Sequence, residues 1–410
     1  MIARRHILKL CAGSLPLIVT APIHAQRKVS RSRIAFRLHE TAGLRRFGYP
    51  VHGTLPIEAT TPGWGFRLLR ADKEIPAQFR QIERSDRRRS VALDFTASMS
   101  PFEVAEYTVE FGPEVKPTTR PTQGLTTEQR DGRFLISNPP HLTYRVPENL
   151  SGLVTSITTT TLDFLREDSL GLFIIRRGSP AKIPLTLDGR GRTESAGWTR
   201  RGPIAVGLRF EGTIASTNSQ PSRTSVELTF VSSKSWIETR WSIEDAEDQI
   251  ETIGVDLNLR VEGDPTLVDC GASSTVYSHL RKTESLIFTG NPRSPNTKRP
   301  LWLIEQGVGV DRKPYAVAST NSPIPEGWIH VMDRSRCTAL AAKDFCKSTT
   351  DRFLVESKGH IAFERRFESS PASSVARSPK RMTFWIHVVP MPVQVGAVTS
   401  AQSMLSPLKL

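Results

Sequence analysis

The sequence is poor in the devices that announce a chemistry. Its 410 residues hold four cysteines and no CxxC pair, so a zinc ribbon or a dithiol redox centre has no ligands to draw on. There is no HExxH, no G-x-S-x-G and no phosphate-binding loop, which removes the positive signs of a metalloprotease, a serine hydrolase or a nucleotide enzyme. No metal and no cofactor is read from it. Helical periodicity is nearly missing too. Ala339–Phe345 is the nearest candidate for a helix and reads equally as a strand. After residue 25 no apolar run is long enough to cross a membrane. Negative charge is the scarcer sign, with 41 Asp and Glu against 55 Lys and Arg, and the net charge of +14 is spread along the chain. That balance fits either a generally basic soluble surface or an anionic partner.

The first residues narrow the choice of partner. Arg4-Arg5-His6-Ile7-Leu8-Lys9 fits the twin-arginine export pattern, and an apolar core runs from Leu10 to Val19, interrupted by Pro16. Ala25 is the expected last residue before cleavage, so residues 1–25 are set aside as a leader. The rest is expected in the periplasm or outside the cell, where nucleic acid is a poor partner. An acidic polysaccharide suits the charge better. Export also means an oxidising compartment. Three cysteines remain there, and Cys337 and Cys346 are close enough in sequence to face each other across a hairpin; the Cα distance decides whether they bridge.

What the sequence has in abundance is strand and turn. From Val29 to Val115, alternating stretches such as SRIAFRL, GFRLL and EVAEYTVEF are separated by Gly, Pro and Asp. This predicts a small all-β barrel over residues 26–116. Residues 117–127, rich in Pro, Thr and Gly, read as a linker. Residues 128–400 contain about a dozen further runs of β-branched and aromatic residues, enough to require two large packed sheets, and 401–410 read as a tail. SVELTFV and SWIETRWSIED are expected to form one hairpin near Ser232-Ser233. Trp236 and Trp241, five positions apart, should then point to opposite faces.

Three stretches of the small domain carry a resemblance. Phe47-Gly48-Tyr49-Pro50-Val51, then Ile75-Pro76-Ala77-Gln78, then Ser90-Val91-Ala92-Leu93-Asp94-Phe95 follow one another as in the amino-terminal RIFT barrel of exo-rhamnogalacturonan-lyase-like bacterial proteins. Downstream, EGWIHVMDRSRCTALAAKDFCK is similar to that family's central sandwich signature through Trp328, Asp333 and Asp344-Phe345, with Cys346 and Lys347 in place of its Trp-Gln. The resemblance implies a RIFT-type barrel followed by a supersandwich-like domain, and an activity on acidic polysaccharide. Full-length members continue into an α/α toroid, for which 410 residues leave no room. Two readings therefore stay open: a polysaccharide lyase, and a non-catalytic glycan- or partner-binding module of the envelope. Where the family has an Asp-Gly turn, this chain has Asp86-Arg87-Arg88-Arg89. That tip is expected to be exposed and not catalytic.

A lyase needs a base and a cation that neutralises the uronate carboxylate. In STVYSHLRK, Tyr277, His279 and Arg281 fall on one face at period two and supply both, although a solvent-facing polar edge has the same pattern. Trp328 with His330, and Trp385 with His387, also share faces. They are candidates for sugar stacking and fit core packing as well. The acidic run holding Glu244, Asp245, Glu247, Asp248 and Glu251 fits no EF-hand spacing and reads as a solvated turn.

Overall fold

The structure, a computed structural model, describes residues 31–57, 63–83, 89–186, 193–214, 221–245, 247–292, 301–318, 322–368, 378–391 and 397–409. The expected leader, residues 1–25, lies outside them. So does most of the basic hairpin tip: Arg87 and Arg88 are not described, and of Arg89 only the backbone is, as the first residue of a strand.

The described residues are almost entirely antiparallel strands. In the small domain a four-stranded sheet runs in the order Ser32–His39, Val104–Gly112, Gly65–Arg70, Lys73–Ile75. A three-stranded sheet follows the order Arg46–Leu55, Arg89–Met99, Ala77–Glu83. Alternation supplies the filling between them. Leu38, Leu68, Tyr107 and Val109 face Val51, Leu93, Phe95 and Ala97, and all are buried. The result is a small barrel.

The large domain is a sandwich. Its nine-stranded sheet has the order Thr193–Arg200, Ala205–Ile214, Ser222–Val231, Trp236–Glu244, Lys380–Pro390, Arg336–Ala342, Trp328–Met332, Thr266–Gly271, Thr275–Leu280. Its eight-stranded sheet has the order Lys182–Pro184, Gly171–Arg176, Ile250–Asn258, His360–Arg366, Thr350–Glu356, Glu284–Gly290, Trp302–Val308, Asp311–Val317. A further four-stranded sheet, begun at Thr126, packs Phe134 on Trp198 and Phe210, and Tyr144 on Phe230. Between the layers Trp241, Phe230, Phe288, Phe353 and Phe363 are buried in one continuous core. Each such side chain stabilises the fold by about 1.5–3 kcal/mol relative to exposure. The expected hairpin at Ser232-Ser233 is present, with Phe230 opposite Ile237. Residues 339–342, the nearest helix candidate, lie in a strand.

The last residues are packed. Ala397–Leu405 is the one helix among the described residues, with Ala401 and Met404 buried, and the segment after it pairs Lys409 with His39 of the barrel. No described helix is long and apolar enough to cross a membrane.

The barrel sits on the outer face of the nine-stranded sheet. Its apolar residues join Trp236, Trp328 and Trp385 of that sheet and Met404 of the helix in a second core. The three stretches that carry the family resemblance form the polar seam of this contact. Gln78 accepts hydrogen bonds from the backbone of Ile204 and Ala205, both at 3.1 Å, and donates to the carbonyl of Ala205 at 3.1 Å. Asp94 is held by Arg200 at 3.1 Å and by His52 at 2.5 Å. The carbonyls of Phe47 and Gly48 accept from Lys234 and Ser233. Gln78→Ala orphans two backbone N–H groups at a buried junction, so it is expected to cost about 1–3 kcal/mol. Urea unfolding followed by tryptophan fluorescence checks this; an unchanged midpoint would show the seam to be carried by apolar contact alone.

One expectation about charge is corrected. Asp245 and Asp248 are not solvated. The ammonium of Lys380 reaches Asp245 at 2.5 Å and Asp248 at 2.8 Å, and Asp245 also accepts from the N–H groups of Gln249 and Ile250. A lysine from a distant strand fills the place a cation would take. Cys270 and Cys337 are buried free thiols, so no Cys337–Cys346 bridge forms.

Candidate functional site

All seven residues singled out from the sequence lie on or beside the outer face of the nine-stranded sheet. Strand register aligns three of them. Tyr277 pairs with Asp269, Asp269 with His330, His330 with Ala339, Ala339 with His387, and His387 with Trp236. A neighbouring row holds Glu238, Trp385, Ala341 and Trp328. The barrel covers most of this surface and leaves its far end open.

Under the barrel the candidates are core. Trp328 and His330 are fully buried, their rings 4.6 Å apart. Trp328 lies over Gly271, where any Cβ would overlap the indole. Its Nε1 donates to Glu326 at 2.5 Å. His387 is buried against Trp236, with centroids 6.1 Å apart. Burial, with His330 and Lys234 nearby, pushes its pKa down to about 3, so the ring stays neutral. His330 Nδ1 lies 3.1 Å from Asp269 Oδ1, within ion-pair range but outside hydrogen-bond alignment. No sugar face is available on Trp328 or His330. Trp385, 7% exposed, lines a cleft.

The open end is different. Thr275–Leu280 is the edge strand, and its alternation puts Ser278 and Leu280 inside while Tyr277 and His279 stand out. Tyr277 is 66% exposed, and Arg281 follows on the same side, also exposed. Leu267, opposite His279, is exposed as well. The strand is fixed from the other sheet: Gln306 donates to the carbonyl of His279 at 2.9 Å, and Ser278 donates to Gln306. Tyr315, half exposed, comes from the edge strand of the eight-stranded sheet, at a bulge where the register slips. Its hydroxyl donates to the carbonyl of Tyr277 at 2.9 Å. Tyr315 thus reaches the backbone of Tyr277 where the two sheets meet; His279 and Arg281 follow Tyr277 on its strand, and the exposed Lys313 lies two residues before Tyr315 on its own. This gives apolar ring faces and cations on one rigid edge. It gives no enclosure, and a base or oxyanion clamp works best where water is excluded.

Tyr315 was not legible as a partner: Pro314 beside it marks an edge or bulge in the strand, but not what the Tyr315 hydroxyl meets there. Tyr277, His279 and Arg281 were legible, because period two is local.

The outer face of the eight-stranded sheet holds a second polar array. Lys182 reaches Asp256 at 2.7 Å and Glu364 at 3.4 Å, His360 Nε2 reaches Asp256 at 2.8 Å, and Arg352 binds Glu364. Burial would raise the pKa of Asp256, but His360 and Lys182 outweigh it and hold the carboxyl below its usual range. Hydrolysis of a glycosidic bond needs one carboxyl kept protonated. Both carboxylates here are paired with cations, and the array is an ion-pair lattice. Among the described residues no group of three or more His, Cys, Asp or Glu converges as metal ligands do.

No protein-family model and no curated protein matches the sequence. The fold is shared with solved structures. One is a protein in the glycosyl hydrolase family 38 from Enterococcus faecalis, with a TM-score of 0.56 and 12% identity, covering 92% of this chain and 47% of that one. Another is an alpha-mannosidase from Enterococcus faecalis V583, with a TM-score of 0.56 and 12% identity, covering 92% of this chain and 45% of that one. The chain therefore spans about half the length of each, and at that identity what is shared is the fold.

Proposed function

We propose that this protein binds an acidic polysaccharide in the bacterial envelope, and that Tyr277 and Tyr315 form the platform on which sugar rings stack. The observation that carries the reading is that both tyrosines are exposed at the sandwich edge, where the Tyr315 hydroxyl donates to the backbone carbonyl of Tyr277 at 2.9 Å. An aromatic face is apolar and rigid, and matches the C–H face of a sugar. Arg281, His279 and Lys313 favour an anionic chain over a neutral one, and the net charge of +14 draws it in. The twin-arginine leader supports export. The fold shared with glycoside hydrolases supports carbohydrate as the ligand class, as does the resemblance to rhamnogalacturonan-lyase-like proteins. The open position of Tyr277, His279 and Arg281 favours binding over elimination.

Affinity electrophoresis in gels containing polygalacturonate or a neutral glucan tests this. Retardation by the acidic polymer should exceed that by the neutral one and should fall as salt rises past about 0.15 M. Tyr277→Ala with Tyr315→Ala should weaken binding roughly tenfold, taking each stacking contact at about 0.5–1.5 kcal/mol. Arg281→Ala should affect the acidic polymer alone. Equal retardation by both polymers, or indifference to the tyrosine pair, would overturn the assignment. Ultraviolet absorbance from unsaturated uronides on incubation with polygalacturonate would replace the binding reading with a lyase.

A further inference from the structure

We infer that the cleft between the barrel, the nine-stranded sheet and the carboxy-terminal helix is a second ligand site, built to take one acidic monosaccharide. It lies on the same sheet face as Tyr277 but over the two middle strands, where the covered rows reach the rim of the barrel and the carboxy-terminal helix. Its volume is about 250 Å³. Pockets for drug-sized ligands start near about 300 Å³, so this one fits a single ring and not an oligomer.

The wall chemistry selects the ring. Trp236, Trp385 and Tyr49 form an aromatic side, and Leu405 and Leu408 of the carboxy-terminal segment close the other. The polar groups are Glu238, Arg240, Lys343 and Thr383. Arg240 is bound to Glu238 of its own strand at 2.6 Å. Lys343 is different. Its backbone is fixed, its N–H donating to Thr383 at 2.9 Å and its carbonyl accepting from Arg365 at 2.8 Å. The nearest acid in sequence, Asp344, is taken by Lys347 at 2.5 Å. Among the described residues Lys343 makes no ion pair; its charge is felt by Asp344 only through space, and that carboxylate is bonded to Lys347, so the cleft holds one cation to which no carboxylate is bonded. Burial pushes the Tyr49 phenol up to about 12, so it remains a hydrogen-bond donor. An apolar side, one unmatched cation, and a donor and an acceptor for hydroxyls together describe a monoanionic sugar such as a hexuronate.

The inference rests on the carbohydrate reading but not on the platform, and the two fail separately. Galacturonate and galactose are titrated into the protein while tryptophan fluorescence is followed, since Trp236 and Trp385 border the cleft. Galacturonate should give a saturable change, and galactose should bind at least tenfold more weakly. Lys343→Gln, an exposed change that leaves the fold intact, should remove that preference. Tyr277→Ala with Tyr315→Ala should leave the monosaccharide titration unchanged while weakening retention by polymer roughly tenfold. No saturable response, equal response to both sugars, or loss of the response in the tyrosine double variant would overturn the cleft site. A cleft response without polymer retention would overturn the platform instead.

Discussion

Arg46→Ala is expected to lower the stability of the protein by about 3–5 kcal/mol, the scale for breaking a buried ion pair by removing one partner. Arg46 is 2% exposed and ties three parts of the chain together. Its guanidinium binds Glu40 at 2.9 Å. It donates to the carbonyls of Ser403 and Ser406 at 3.1 and 2.7 Å, capping the end of the helix where carbonyls have no partner of their own. It also lies over the Tyr49 ring, 5.0 Å from its centre. Alanine leaves Glu40 charged and buried and frees the helix end from the barrel. Lysine should not rescue, because one ammonium cannot reach a carboxylate and two carbonyls in a planar fork. The contrast is Arg37→Ala. That residue pairs with Glu106 at 2.6 Å, but both side chains are about two-thirds exposed, and the loss should stay below about 1 kcal/mol. Guanidinium unfolding of the three variants measures this. A cost for Arg46→Ala no greater than that for Arg37→Ala would show that apolar contact alone docks the helix.

Acid should unfold the protein in two overlapping stages. His387 titrates near 6.5 when unfolded and near 3 when folded, burial being the main cause. The unfolded chain thus takes up a proton below pH 6.5 that the folded chain refuses. Stability falls with pH from 6.5 downward, by at most about 1.4 kcal/mol per unit, until the folded value is reached. Glu40 adds a second contribution. Burial would raise its pKa, but hydrogen bonds from the N–H groups of Phe102 and Ala42 and from Arg46 overcome this and bring it from 4.5 to about 2. Its contribution, of order 3 kcal/mol, is complete above 4.5 and is lost as pH falls toward 2. In His387→Gln the slope of unfolding free energy against pH should flatten between 6.5 and 4.5 and persist below. An unaltered slope in that window would show His387 to be solvated.

How much of this was legible beforehand depends on the range of the cause. Trp236 and Trp241 were separable from sequence, and they do point apart: Trp241 into the inter-sheet core, Trp236 toward the barrel. Tyr277, His279 and Arg281 were legible as one face for the same reason. Trp328 and Trp385 share with Tyr277 the period-two pattern of a strand, yet one set is core and the other is surface. The difference is whether the barrel lies above them, and no residue near them records that. Gln78 and Asp94 stood out as motif residues, but their partners Ala205 and Arg200 are more than a hundred residues away. Asp245 read as solvated because Lys380 is equally remote.

The sequence by itself determined an all-β chain, the facing of its strands and the basic balance of its surface. These follow from backbone periodicity and composition, which act within a few residues. Only the tertiary structure decided which face is covered, that Tyr315 meets the backbone of Tyr277 at a bulge, and that Lys343, with no carboxylate bonded to it, lines a cleft with two tryptophans. Those are properties of surfaces brought together from distant parts of the chain, and a covering layer leaves no mark on the periodicity of the strand beneath it.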